Sequence, residues 1–451
     1  MIHPLFLKGQ DAALQQILLR REARVQTQRE LLHHGRCLVS FSMNIPGQRK
    51  QFPLEQKSFE EGLCLLREQF SGQLLEQQLY SGLTGDEAML LLDLEPSQVK
   101  AVTTALEETH PLGRLWDMDV LDREGKSLSR IALGYPARRC LVCGAAAKEC
   151  GRSRKHSYEE LFGCAVTIMH DYFRDRRAQE VGCCAVKAVL SEVSVTPKPG
   201  LVDRKDSGSH SDMDFFTFMD SAAALSPWFP RFFRAGWDNE TGLFSALRKM
   251  GQQAEREMFA ATGGVNTHKG LIFSMAILCG ALGRAMAEHF PQTPEREAVL
   301  DIVRDLGKES LGDFDRKEAE TAGLRCHRHH GILGIRGEAA EGFPAVFGIG
   351  LPTLEHWLEQ GSALNDAAAA TLIALIAGVV DTNMIHRGGQ DEALLRRKEA
   401  SELLRRLTPE NITAELEELN REYIRRHLSP GGCADLLALT LFIHFIEQNC
   451  R

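Results

Sequence analysis

Ten residues, ATGGVNTHKG (261–270), hold three glycines, an amide, two threonines, a histidine and a lysine, and no acid. A helical run, GQQAEREMFAA, precedes them and an apolar run, LIFSMAILCGALG, follows. The stretch reads as a turn feeding a helix N-terminus, where free N–H groups and the helix dipole favour an anion. Gly263 and Gly264 let backbone approach a phosphate, and Asn266, Thr267, His268 and Lys269 add polar contacts. The phosphate loop GxxxxGK[ST] is absent, so a Gly-rich corner between helices is the plainer alternative.

Three other loops carry similar chemistry. TPKPGLVDRKDSGSHSDMD (196–214) gathers Lys198, Asp203, Arg204, His210, Asp212 and Asp214. Asp212 and Asp214 are equally suited to capping the next helix. GIRGEAAEGFP supplies Arg336, Glu338 and Glu341, and DTNMIHRGG (381–389) supplies Asp381, Asn383 and Arg387 directly after an apolar run. Polar clusters at the ends of apolar helices meet at the mouth of a bundle. There, acids can hold a divalent cation and bases can take phosphates. CHRHH (326–330) is cramped for a zinc centre, so its histidines read as surface or phosphate-facing groups.

The first part of the chain has a different signature. In LWDMDVLD, the two-residue period of a strand puts Asp117 and Asp119 on one face. Such a pair can share Mg²⁺ and clamp an attacking oxygen and a phosphate, as nucleotidyltransferases do; an exposed strand edge is the alternative. CLVCGAAAKECGRSRKH offers Cys140, Cys143, Cys150 and His156. One C-x₂-C with a third cysteine and a histidine is compatible with zinc, but the absence of a second close pair favours ordinary thiols. Arg114, Arg138, Arg139 and Arg152 stand nearby and suit a phosphate-rich substrate.

The surrounding elements fall into two parts. Up to about residue 157, helical spacing (11–33, 56–70, and from Pro96) alternates with strand-like runs at Cys37–Met43, AMLLLDL, GRLWDMDVLD and SLSRIALG. Beyond it, long apolar or amphipathic segments follow at 157–194, 212–225, 243–261, 268–289, 292–307, 363–380, 390–406 and 433–448. The expected architecture is an α+β, nucleotidyltransferase-like domain (1–175) followed by an all-α domain (176–451). The helix over 157–194 is expected to be interrupted near Arg174–Arg177. The net charge of −8 gives no global field for nucleic acid. Twelve scattered cysteines and an N-terminus without the signal-peptide pattern suggest a reducing cytoplasm. The charge-free run 367–380 is too short to span a bilayer and reads as a buried helix.

In this order, TPKPGLVDR, GSHSDMD, Ala254–Glu255, ATGGVNTHKG, GIRGEAAEGFP and DTN with RGG resemble the triphosphoribosyl-dephospho-CoA synthase family. That resemblance implies an all-helical enzyme that joins the ribose C1′ of ATP to the 2′-hydroxyl of 3′-dephospho-CoA and expels adenine. Cleaving an N-glycosidic bond develops positive charge at C1′, which a carboxylate stabilises. On this reading Glu255, Asp203, Asp212 and Asp214 do the carboxylate work, with Asp212 and Asp214 as metal ligands. Lys198, Arg204, His210, Lys269, Arg336 and Arg387 hold phosphates. Asp381 is a further candidate for the metal set.

SFSMNIPG, GRLWDMDV, LGYPARRCLVC and CGRSRKH resemble the apo-citrate lyase phosphoribosyl-dephospho-CoA transferase family. This implies transfer of the phosphoribosyl-dephospho-CoA unit to a serine of the citrate lyase acyl carrier subunit, with loss of pyrophosphate. Asp117 and Asp119 are then the ligands of Mg²⁺; Arg114, Arg138, Arg139, Arg152 and His156, with help from Lys50, contact phosphate or carrier. The first product is the second substrate. Alternatives are the same chemistry serving malonate decarboxylase, or a non-catalytic scaffold binding CoA-type nucleotides and a carrier protein. Neither nucleic acid nor a membrane is an expected partner.

Overall fold

The computed structural model describes residues 4–238, 241–312, 327–328 and 331–449. The chain divides into two compact units, Ile2–Arg174 and Asp175–Arg451. The first contains α1 (Leu14–Leu32), β1 (Cys37–Met43), α2 (Pro53–Gln69), β2 (Leu74–Tyr80), β3 (Glu87–Leu92), α3 (Pro96–Thr109), β4 (Trp116–Leu121) and the short α4 (Ala147–Ser153). α5 (Tyr158–Ser194) is continuous through Arg174–Arg177, and the division falls within it.

The strands form one antiparallel sheet in the order β2-β3-β1-β4. β2 (LLEQQLY) lacks a clear apolar alternation and was not expected as a strand. SLSRIALG, expected as one, makes a single bridge at Ser127 and a tight helical turn at Ile131–Leu133.

Register fixes the character of the two faces. Phe41 and Met118 are paired, as are Met43 and Trp116. On this side Phe41 stacks on Phe59 of α2 with ring centroids 4.8 Å apart, and the Trp116 indole donates to the Ser58 carbonyl at 3.0 Å. The opposite face begins apolar: Leu31 and Leu32 of α1 pack with Leu38, Leu91 and Leu121. Further along β1 and β4 it turns polar, with Ser40 opposite Asp119 and Ser42 opposite Asp117. The change in side-chain type along one sheet face creates the first candidate site.

Among its described residues the second unit has helices joined by loops and no strand. Its helices are α6 (Phe215–Leu225), α7 (Trp228–Trp237), α8 (Leu243–Ala261), α9 (Lys269–His289), α10 (Arg296–Leu311), α11 (Ile335–Glu341), α12 (Leu351–Glu359), α13 (Leu364–Gly378), α14 (Thr382–Gly388), α15 (Gln390–Leu404), α16 (Ile412–Arg425) and α17 (Gly431–Asn449). α9 and α13 form the apolar centre: every residue of α13 from Ala367 to Ile376 is buried. α9 is long and apolar enough to cross a membrane by composition, and 78% of its most apolar window is buried within the protein. The run 367–380 is a buried helix that ends at Gly378.

Candidate active sites

The polar loops of the second unit line a cavity of about 1690 Å³. Drug-sized ligands typically occupy about 300–1,000 Å³, so this space suits something larger. Its wall includes Lys198, His210, Asp212, Glu255, Asn266, Thr267, His268, Lys269, Arg336, Glu338, Glu341, Asp381, Asn383 and Arg387. Sequence reasoning had picked all of these.

Within the cavity, Lys269 at the start of α9 pairs with Glu255 of α8 at 2.5 Å. His268 is buried against Phe218, its Nδ1 2.6 Å from the Ser221 hydroxyl, which in turn accepts from Thr267. Burial, then the Lys198 charge, lowers its pKa to about 3, so the ring is neutral. Thr267, Ser221 and His268 Nδ1 form a hydrogen-bonded chain, and the buried Nε2 of the same ring has no protein partner.

Lys198 is buried and its ammonium lies 2.5 Å from the equally buried Glu192. Burial raises the Glu192 pKa and the Lys198 charge opposes that rise. Asp435 stands just past the first turn of α17, leaning so close to Gly270 that a Cβ there would clash with its Oδ2. Burial, then the charges of Glu192 and Asp381, hold the Asp435 carboxyl well above the usual carboxylate range. Glu192 and Asp435 were missed. Glu192 lies inside an unbroken helical pattern, and Asp435 in a segment that reads as a core helix. The signal for Asp435 was PGGCAD (430–435), a Pro-Gly-Gly helix start ahead of an acid.

Several expected residues do other work. The Asp203 carboxylate accepts from the backbone amides of Lys198, Lys205 and Asp206, bracing the loop from within. Asp214 caps α6 by accepting from the Thr217 amide and hydroxyl, which lowers its pKa. Arg204 turns to Thr196 and Asn365. Gly263 and Gly264 have φ of +65° and +92° and end α8, with the Gly264 amide donating to Phe259. The left-handed turn by itself accounts for both glycines. None of these five lines the cavity.

Asp381 does reach the wall, but its oxygens accept from the amides of Asn383, Met384 and Cys433. It ties the start of α14 to α17. Arg387 donates to the carbonyls of Ser209 and His427 and lies 3.2 Å from His210. Burial and this cation lower the His210 pKa. Glu338 accepts from the Ala345 amide and is raised by burial. His327 and Arg328 are described, whereas Cys326, His329 and His330 lie outside the described residues.

In the first unit, Asp117 and Asp119 share the polar sheet face as the strand period requires. Arg138 bridges Asp117, at 3.1 Å, and the buried Glu107, whose other contact is the Met118 amide. Desolvation, then the Asp117 charge, raises the pKa of Asp119, although the residue keeps an exposed edge. Arg24 of α1 reaches Ser42 on the same face. Arg114 donates to the Arg139 carbonyl, while Arg139 and Arg152 are exposed. Lys50 turns inward to the Ile45 carbonyl. Cys140, Cys143, Cys150 and His156 bring their ligand atoms within 4.8 Å of one another. Among the described residues this is the one group of three or more potential metal ligands so gathered; the cavity acids are not.

The two units match two family models. Residues 178–451 match ATP:dephospho-CoA triphosphoribosyl transferase, and residues 12–172 match apo-citrate lyase phosphoribosyl-dephospho-CoA transferase. The chain is 34% identical to Protein CitXG of Leuconostoc mesenteroides subsp. cremoris, over 97% of this chain and 98% of the relative. It is equally similar to Protein CitXG of Haemophilus influenzae, over 98% of each. A probable 2-(5''-triphosphoribosyl)-3'-dephosphocoenzyme-A synthase of Streptococcus mutans is 39% identical over 58% of this chain and 95% of its own. The class is therefore that of a transferase with two catalytic families in tandem. The chain belongs to the ATP:dephospho-CoA triphosphoribosyl transferase family, fused to an apo-citrate lyase phosphoribosyl-dephospho-CoA transferase module, and it serves the synthesis of the citrate lyase prosthetic group.

Proposed function

We propose that the second unit joins ATP to 3'-dephospho-CoA with release of adenine, and that the first transfers the product to a serine of the apo acyl carrier subunit with release of pyrophosphate. The observation that carries the first assignment is the large cavity lined by Glu255, Lys269, His268, Lys198, Asp435 and Arg336. Its volume suits two nucleotides side by side. The domain division is taken at 175/176, and the reactions belong in the cytoplasm.

In the first reaction, Glu255 stabilises the positive charge developing at C1′. Its partner Lys269 is drawn toward the triphosphate as substrate enters. The neutral His268 ring offers its Nε2 for a hydrogen bond without adding charge. Arg336 and the N-terminal ends of α9 and α17 meet phosphate oxygens. Asp212, at the rim with its side chain 62% exposed and His210 Nδ1 3.9 Å away, is the acid assigned to metal. Asp203 and Asp214 act instead as loop brace and helix cap.

Mg²⁺ fits both sites. It is usually held by one or two carboxylates together with substrate phosphates, and the acids present match that need: Asp212 or Asp435 in the cavity, and the Asp117–Asp119 pair on the sheet. When bound, the ion supplies charge neutralisation on the phosphates. In the second reaction Arg138 holds Asp117 in place, and the arginines around it draw the triphosphate substrate toward the aspartate pair.

Incubation with ATP, Mg²⁺ and dephospho-CoA, followed by chromatography for adenine, tests the first assignment. Absence of adenine from folded protein would sink it. Addition of apo carrier and intact-mass measurement tests the second.

A further inference from the structure

We propose that residues 138–156 form a structural zinc site, with the Sγ atoms of Cys140, Cys143 and Cys150 and the Nε2 of His156 as its four ligands. In a tetrahedral site with Zn–S near 2.3 Å and Zn–N near 2.0–2.1 Å, ligand atoms lie roughly 3.5–3.8 Å apart. Cys143 and Cys150 sulfurs are 3.5 Å apart, and all four ligand atoms fall within 4.8 Å of one another. Small side-chain rotations close the remaining distance.

The backbone is already arranged for it. The Cys140 amide donates to Ala145 at 2.7 Å and the Gly144 amide returns to Cys140 at 3.2 Å, with Gly144 at φ +69°. This folds Cys140-x-x-Cys143-Gly144 into a tight knuckle. Cys150 is presented by α4, which ends in a left-handed Arg154 at φ 47° that turns the chain toward His156.

Two further observations point to a ligand. His156 Nε2 is buried and has no hydrogen-bond partner, while Nδ1 of the same ring faces Glu160 at 4.0 Å. A carboxylate behind one imidazole nitrogen is the usual arrangement when the other nitrogen binds metal. Moreover, Cys140 and Cys150 are the only buried side chains between residues 134 and 157. An ordered loop with no apolar core of its own needs another source of folding energy, and metal binding supplies one. Three thiolates and one imidazole select zinc over magnesium or calcium.

The position suggests the purpose. Arg138, two residues before the first ligand, spans Asp117 and Glu107, and its carbonyl accepts from Ala147 at the head of α4. Zinc therefore fixes the loop that places a guanidinium on the aspartate pair. This consequence rests on the role proposed above for Asp117; the metal site itself does not.

The test is elemental analysis of the full chain purified under reducing conditions. Stoichiometric zinc is expected in the wild-type protein and in Cys64→Ser, which alters an exposed thiol elsewhere. Cys143→Ser should retain about ten-fold less. Because that variant can also misfold, cobalt is substituted into the wild-type chain, where thiolate-to-cobalt charge transfer and strong visible ligand-field bands should appear. Zinc remaining far below stoichiometry after zinc is supplied, cobalt spectra without thiolate bands, or a peptide map linking Cys143 to Cys150 as a disulfide would each overturn the proposal. Adenine release, assigned to the other unit, is expected to survive zinc removal. Thus a failed zinc test leaves the proposed reactions standing.

Discussion

Replacing Lys198 by methionine separates its structural role from its proposed contact with phosphate. Lys198 and Glu192 are 2% and 4% exposed, and their charges meet at 2.5 Å. Removing the cation leaves Glu192 either charged without compensation or forced to take a proton. Breaking a buried pair from one side costs about 3–5 kcal/mol, a large share of a domain stability of roughly 5–15 kcal/mol. The melting temperature of the second unit should fall by about 5–15 °C. The loss should grow as pH rises from 5 to 8, because the unfolded Glu192 ionises freely while the buried one resists. The double variant Lys198→Met/Glu192→Leu removes both charges and should recover to within about 1.5 kcal/mol of wild type. Adenine formation should stay abolished in it. The assays are thermal and urea unfolding, with chromatographic detection of adenine. A single variant that melts like wild type would refute the buried pair, and a double variant with normal adenine release would limit Lys198 to scaffolding.

Other outcomes follow from the same reasoning. Glu55 is fully buried, and burial, then the Asp86 charge, pushes its pKa to about 9 against the opposing pull of the Asp86 and Phe52 backbone amides and the Lys50 charge. A raised acid is neutral when folded and ionised when unfolded, so it removes stability as pH rises from about 4.5 toward 9. Glu55→Gln should flatten that decline in pH-dependent unfolding of the first unit and stabilise it by about 1–3 kcal/mol at pH 8. His268 has the opposite sign. It is neutral when folded, so stability is lost as pH falls from about 6.5 toward 3, and His268→Gln should lessen acid sensitivity while reducing adenine formation. Gly270→Ala introduces a Cβ that displaces the Asp435 carboxylate, the end of a flexible side chain. Unfolding should change by less than about 1 kcal/mol, while adenine formation drops and carrier loading from premade intermediate does not.

Much of this was legible from residue types. β1, β4 and the long apolar helices announced themselves by period and by terminal signals, and the cavity wall took most of the polar loop residues picked for it. The failures have physical causes. β2 is an edge strand whose LLEQQLY pairs on one side only, so it carries no buried alternation. α7, WFPRFFRAGW, is short and rich in aromatics, and propensity alone does not declare it a helix. α16 was readable, since Ile412, Leu416 and Tyr423 recur at helical spacing and are buried, but its dense charge masked them. Within the site, loop position did not separate the caps and braces, Asp214 and Asp203, from groups facing the cavity. Only three-dimensional placement shows which oxygens backbone amides already occupy. For the cysteine motif, the missing second C-x₂-C argued against metal; a short helix and a left-handed turn bring Cys150 and His156 back to the knuckle, and the zinc proposal rests on that placement.

The central claim is that two separate chemistries reside in two sites of one chain. The most direct test follows adenine and carrier mass in parallel, in folded Asp119→Asn and Glu255→Gln proteins supplied with ATP, Mg²⁺, dephospho-CoA and apo acyl carrier. Asp119→Asn should form adenine normally and leave the carrier unmodified. Glu255→Gln should form no adenine, yet still load the carrier when given premade intermediate. If either substitution abolished both steps, or neither, the division of labour would be contradicted.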